Sequence, residues 1–177
     1  MALGPIPWAI RISVTAIIAA TVVAVFMTGE LWLSRRNESA LRRRGAIAVD
    51  DPVYPAMRWA YPGVFAAMAG EGLWRGDAPI PLAIAGVSML ASAKLLKYWA
   101  IASLGERWTY RVFVLPGAPL VTSGPYRLIR HPNYVAVVGE LVGMALVTGA
   151  WVTGPLGVVC FSWLLARRIR AEEKAIY

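Results

Sequence analysis

Five apolar stretches dominate this chain, near residues 9–33, 56–73, 80–104, 134–151 and 152–167. A helix needs about 20 mostly apolar residues to cross a bilayer, because each adds about 1.5 Å against a hydrocarbon core about 30 Å thick. Backbone polar groups inside lipid must be satisfied within their own segment. The expected fold is therefore all-α, an integral-membrane bundle of about five transmembrane helices forming one domain over residues 1–177. The second stretch is thinned by Arg58 and Pro62, and the last two are joined by a short turn around Gly149 and Gly154, as in a tight helical hairpin. Composition agrees: 58% of the 177 residues are hydrophobic and 16% charged, outside the usual balance of a soluble domain.

The cations divide unevenly between the two ends of these helices. Six lie from Arg35 to Arg58, six from Lys94 to Arg130 and four from Arg167 to Lys174, whereas Arg11 and Arg75 fall on the opposite side. Lys and Arg near helix ends stay cytoplasmic, which predicts an outer N-terminus and a cytoplasmic C-terminus. Richness in Arg, Ala, Gly and Val points to a bacterium, and so to its inner membrane. The net charge of +8 sits in short runs with no separable polar domain, which argues against a nucleic-acid partner. The lone Cys160 excludes an intrachain disulfide and a cysteine metal cluster, no metal being expected, and reads as buried packing. The N-terminus lacks the basic lead of a signal peptide, and its apolar run ends in Trp32 and Arg35-Arg36, so the first stretch is kept as a membrane helix. Trp8, Trp32 and Trp151 read as interfacial anchors.

Between the third and fourth stretches, Gly105 to Pro132 carries Pro116, Gly117, Pro119, Gly124, Pro125 and Pro132. A continuous helix there is excluded, and a structured cytoplasmic loop is expected. It ends in Gly124-Pro125-Tyr126-Arg127-Leu128-Ile129-Arg130-His131-Pro132-Asn133-Tyr134, directly before an apolar helix. The fifth stretch ends in Arg168-Ile169-Arg170-Ala171-Glu172-Glu173. Helix four leaves the cytoplasmic face and helix five returns to it, so the two clusters can meet. Their cations, carboxylates, aromatic rings, amide and imidazole suit a zwitterionic ligand that also carries a sulfonium. Arg168 and Glu172, four apart, share one helical face, as a pair or as separate contacts to two ligands.

Blander readings stand beside these. His131 before a proline caps the following helix, and the charges from Arg168 to Glu173 form a solvated, positive-inside helix end. Glu30 and Glu140 are acids at membrane depth, where carboxylates are functional or paired. Glu140, under two turns into helix four, lines an acceptor pocket or pairs with Lys94 or Lys97; those lysines are otherwise expected to snorkel to the cytoplasmic surface. Gly139-x3-Gly143 permits close helix approach.

Three blocks carry a family resemblance. Leu120-Val121-Thr122-Ser123-Gly124-Pro125-Tyr126, Arg130-His131-Pro132-x-Tyr134 and Arg168-x3-Glu172-Glu173 resemble the isoprenylcysteine carboxyl methyltransferases over about residues 95–177. The resemblance implies an S-adenosylmethionine-dependent methyltransferase whose cofactor contacts come from Ala118, Pro119, Leu120, Val121, Tyr126, His131, Pro132, Asn133, Tyr134 and Glu172, with Arg168 facing the acceptor. Arg168 and Glu172 are the residues it implies for catalysis. Eukaryotic members carry a Gln where counting back places Arg111, which joins the cofactor set as a departure. The chain also lacks the extra membrane helices of longer relatives. A narrower likeness runs through Glu30-Leu31-x2-Ser34-Arg35-Arg36-Asn37, Lys97-Tyr98-Trp99, Leu104-Gly105-x2-Trp108 and Val114-Leu115-Pro116-Gly117-Ala118. These are similar to bacterial membrane methyltransferases associated with type III polyketide synthases, which O-methylate alkylpyrones or alkylresorcinols.

The expected partners are therefore the bilayer and a lipid-like methyl acceptor, an isoprenylcysteine-type carboxylate or an alkylpyrone or alkylresorcinol hydroxyl. Methyl transfer from a sulfonium is an in-line displacement, so alignment and dehydration of the acceptor matter most. An acceptor already anionic needs no base, and Arg168 would steer its oxygen; Glu140 is the second residue assigned to the acceptor. The alternatives are a phospholipid N-methyltransferase, a membrane reductase using a nicotinamide cofactor, and a noncatalytic membrane subunit.

Overall fold

The computed structural model describes residues 13–176. Five helices form where five apolar stretches lie: α1 Val14–Arg43, α2 Tyr54–Arg75, α3 Ile80–Leu104, α4 Pro132–Thr148 and α5 Thr153–Ile176. Their ends follow local chemistry. Ser13 accepts from the Ala16 amide at 3.1 Å and caps α1, while prolines open α2, α3 and α4, where a missing N–H costs nothing. Gly149 closes α4 in the left-handed region at φ 63°, a conformation that favours glycine. Pro62 sits inside α2 without ending it.

Among the described residues two segments, α1 and Ile80–Arg107, are long and apolar enough to cross a bilayer. Outward-facing Val14, Ile18, Val25, Ile84, Val87 and Leu95 give them exposed apolar flanks. Trp32 and Trp151 are exposed; Trp8 and Arg11 lie outside the described residues. Cys160 is exposed on α5, contrary to the buried position expected: its apolar neighbours face outward with it, as Val159 and Trp163 do.

The helices alternate in direction, so the C-terminal ends of α1, α3 and α5 share one end of the bundle with the N-terminal ends of α2 and α4. At this end Arg44 meets Glu106 at 3.2 Å. At the opposite end Ser13 and Thr15 donate to Asp77, each at 2.7 Å. There Glu71 also accepts from the Thr153 amide at 2.7 Å, tying α2 to the start of α5. Arg168 and the loop cations cluster at the first end. The closest helix pair is α3 with α4. A Cβ on Gly86 would stand 2.6 Å from the Val147 nitrogen, and one on Gly143 2.9 Å from the Leu90 nitrogen, so glycine is what lets these backbones approach.

The Gly105–Pro132 segment is structured. It opens with a 3₁₀ turn at Gly105–Arg107, contributes β2 (Phe113–Val114), and has a second 3₁₀ turn at Gly124–Arg127. Strand β2 pairs antiparallel with β1 (Ile47–Ala48), a two-residue ladder that the sequence did not announce. Buried Asn37 on α1 holds the segment from below, donating to the Trp108 carbonyl at 2.8 Å and the Gly105 carbonyl at 3.3 Å. Ser34 accepts from the Tyr110 amide at 2.9 Å.

Candidate functional site

Two polar clusters meet through Tyr110. The first lies where α4 begins and α5 ends. Glu172 accepts from the Tyr134 hydroxyl and from Arg168 Nε at 3.1 Å, so Arg168 and Glu172 form the pair their spacing permitted. The His131 imidazole approaches Glu172 at 3.8 Å and Glu173 at 3.6 Å, and its ring stacks on Tyr134 with centroids 5.5 Å apart. It makes no side-chain capping bond to α4, so the capping reading of His131 gives way to a place beside the carboxylates. Buried Pro132 turns the chain into α4. Asn133 accepts from the Trp108 indole at 3.5 Å, linking the α4 start to the loop. Tyr126 lies close enough that burial, and then the Glu172 charge, push its hydroxyl well above the ordinary tyrosine range, so it stays protonated at neutral pH.

Arg168 is held from three sides. Besides Glu172, its Nε lies 3.5 Å from Asp51 Oδ2, and its Nη2 donates to the Tyr110 carbonyl. Its guanidinium lies over the rings of Tyr54 and Tyr134, at 5.6 and 5.9 Å. Arg111 lies 5.8 Å from the Tyr54 ring, which Arg168 also faces. Asp51 and Tyr54, at the entry to α2, were not singled out by sequence. Asp51-Pro52 ahead of an apolar run is a legible helix-start signal, and Asp51 Oδ1 does accept from the Val53 and Tyr54 amides at 2.9 and 3.2 Å. Nothing local in the sequence ties it to Arg168.

Ala118, Pro119, Leu120 and Val121 stand apart from these contacts. Pro119 and Leu120 are exposed and Ala118 and Val121 half-buried. Arg107 anchors the stretch by donating to the Pro119 carbonyl at 2.6 Å.

The second cluster is deeper. Glu30 (α1), Lys94 and Lys97 (α3) and Glu140 (α4) form a closed ring of ion pairs: Glu30 to Lys94 at 2.8 Å and to Lys97 at 2.7 Å, Glu140 to Lys94 at 2.9 Å and to Lys97 at 3.3 Å. The Tyr61 hydroxyl donates to Glu140. The expectation that the lysines reach the surface fails: Lys97 is 1% exposed. Two buried carboxylates require counter-charges where they sit, and unpaired they would be costly. Glu140 thus takes the paired arrangement. The Tyr110 hydroxyl donates to Glu30 at 3.2 Å, and burial, followed by the Glu30 charge, pushes it far above the usual tyrosine range. One residue therefore touches the ring with its side chain and Arg168 with its carbonyl.

Comparison with known proteins places this helical molecule in a family. The family model of the isoprenylcysteine carboxyl methyltransferase (ICMT) family matches residues 86–177. The chain belongs to this family. It is 32% identical over 155 residues to the Bacillus subtilis protein YpbQ, described as uncharacterized, covering 88% of this chain and 92% of that one. It is 29% identical over 147 residues to an uncharacterized Haemophilus influenzae protein, covering 82% and 86%. A shorter match, 27% over 104 residues, covers 59% of this chain and 43% of the cobalt-zinc-cadmium resistance protein CzcN of Cupriavidus metallidurans. No solved structure matches the chain.

Proposed function

We propose that this chain is a multi-pass membrane enzyme of the bacterial inner membrane that uses S-adenosylmethionine to O-methylate a lipid-like acceptor. The observation that carries the reading is the convergence of His131, Tyr134, Arg168 and Glu172 from two separate segments onto one cluster. Its donor set fits the cofactor. Glu172 and Glu173 suit an ammonium, the faces of His131 and Tyr134 suit an adenine or a sulfonium, and Arg130, which lines a groove with Glu173, suits a carboxylate. When bound, the cofactor supplies an electrophilic methyl group. The Ala118–Val121 stretch and Arg111 complete the proposed cofactor contacts, with Tyr126, Pro132 and Asn133 shaping the entry to α4. Arg168 orients the acceptor's oxygen, and the exposed apolar flanks of the helices admit its chain from the bilayer. The cation-rich end of the bundle supports a cytoplasmic site and C-terminus.

Glu140 enters this reading through the ion ring that braces α1, α3 and α4 below the site. The acceptor class is a carboxylate or hydroxyl on a long hydrocarbon chain, the alkylpyrones and alkylresorcinols of the narrower likeness included.

Calorimetric titration of detergent-purified protein with S-adenosylhomocysteine tests the reading. Saturable binding that Glu172→Ala abolishes is the expected result, and a folded wild type that does not bind refutes it.

A further inference from the structure

We propose that Asp51 is a catalytic residue: its second carboxylate oxygen, Oδ2, takes the proton from an acceptor hydroxyl held beside Arg168. The inference rests on the methyltransferase reading and assigns a residue outside the family-matched segment 86–177.

The two oxygens of Asp51 are used unequally. Oδ1 accepts two amides at the entry to α2. Oδ2 is buried and receives no hydrogen bond, although the side chain is only 5% exposed. Arg168 balances its charge but gives it no hydrogen bond, because its Nε directs a hydrogen to Glu172 at 3.1 Å and stands 3.5 Å from Asp51. Buried acceptors without donors are rare, and a charged one is expensive. Arg168 Nη1 also donates to none of the described residues. A hydroxyl placed here supplies the donor that Oδ2 lacks: its hydrogen goes to Oδ2 and its oxygen accepts from Nη1.

The step balances. The O–H bond breaks and its proton moves to Asp51 Oδ2, the oxygen pair forms the O–CH₃ bond, and the S–CH₃ pair stays on sulfur. Products are the methyl ether, S-adenosylhomocysteine and a protonated carboxyl that later loses its proton to water.

Asp51→Asn separates this role from the structural one, because asparagine keeps Oδ1 for the turn. Two acceptors with matched chains serve as probes: an alkylresorcinol, with a phenol pKa of about 10, and an alkyl hydroxypyrone already ionised at the assay pH. The variant should lose about 100-fold or more in kcat on the alkylresorcinol, with a rate that rises in proportion to hydroxide. It should stay within about threefold of wild type on the ionised pyrone, since no proton need be removed. Calorimetric affinity for S-adenosylhomocysteine should be unchanged. Equal losses on both acceptors, or none on either, overturn the role of Asp51. A wild type that methylates neither acceptor overturns the hydroxyl-transfer reading beneath it, whatever the variant does.

Discussion

Replacing Glu140 by Gln puts a number on the ion ring. The substitution keeps shape but removes two contacts, to Lys94 at 2.9 Å and to Lys97 at 3.3 Å. It leaves buried Lys97 and half-buried Lys94 facing Glu30 alone. At an effective dielectric of about 20, each contact near 3 Å is worth about 5 kcal/mol before desolvation. Removing the carboxylate recovers part of its own desolvation and leaves a net cost of about 3–5 kcal/mol. For a domain of this size that lowers the apparent melting temperature by about 10 °C. The discriminating variant is the double substitution Lys97→Met with Glu140→Gln, which restores charge balance and should recover at least half of the loss. Tryptophan fluorescence on heating in detergent is the assay, because the exposed Cys160 would react with thiol dyes before unfolding. If the two single losses simply add in the double variant, the ring carries no coupling and the reasoning is wrong.

Tyr134→Phe removes the hydroxyl that donates to Glu172 and should weaken S-adenosylhomocysteine binding about tenfold, the scale of one hydrogen bond to a charge, as calorimetry would register. Asn37→Ala strips two loop carbonyls of their donor at a cost of about 1–3 kcal/mol; trypsin should then cut faster at Arg107 and Arg111, with the helices intact. Gly86→Leu forces α3 from α4 and should lower the melting temperature without changing the cofactor affinity of the molecules that remain folded. Asp77 is held below its ordinary value of 3.8 by the Ser13 and Thr15 hydroxyls. Its contribution is therefore complete above that value and fades as pH falls below it. Hydrogen exchange in the first turn of α1, corrected for intrinsic rate, should accelerate on acidification in wild type and not in Asp77→Asn.

Helix number and order were legible because each helix is an apolar run bounded by proline, glycine or charge. α1 continues to Arg43, although the apolar pattern stops near residue 33, since its last turns are held by Asn37 and Ser34 contacts made far along the chain. His131, Tyr134, Arg168 and Glu172 were legible from local blocks. Asp51, Tyr54 and Tyr110 were not, because what matters about them is whom they meet, and those meetings cross the whole bundle. Lys94 and Lys97 were misread for the same reason: a lysine on an apolar helix looks like a snorkelling residue until a carboxylate from another helix is placed beside it.

The ion ring also bears on how such a chain can change over generations. Three of its members, Lys94, Lys97 and Glu140, fall inside the matched segment 86–177, and the fourth, Glu30, lies outside it. Grafting that segment onto a foreign N-terminal half would carry two lysines and one acid into the interior, a surplus cation with nowhere to go. Recombination at this boundary is therefore barred unless the incoming half brings an acid at the matching depth. The N-terminal helices are partners in inheritance, bound to the other half by charge parity.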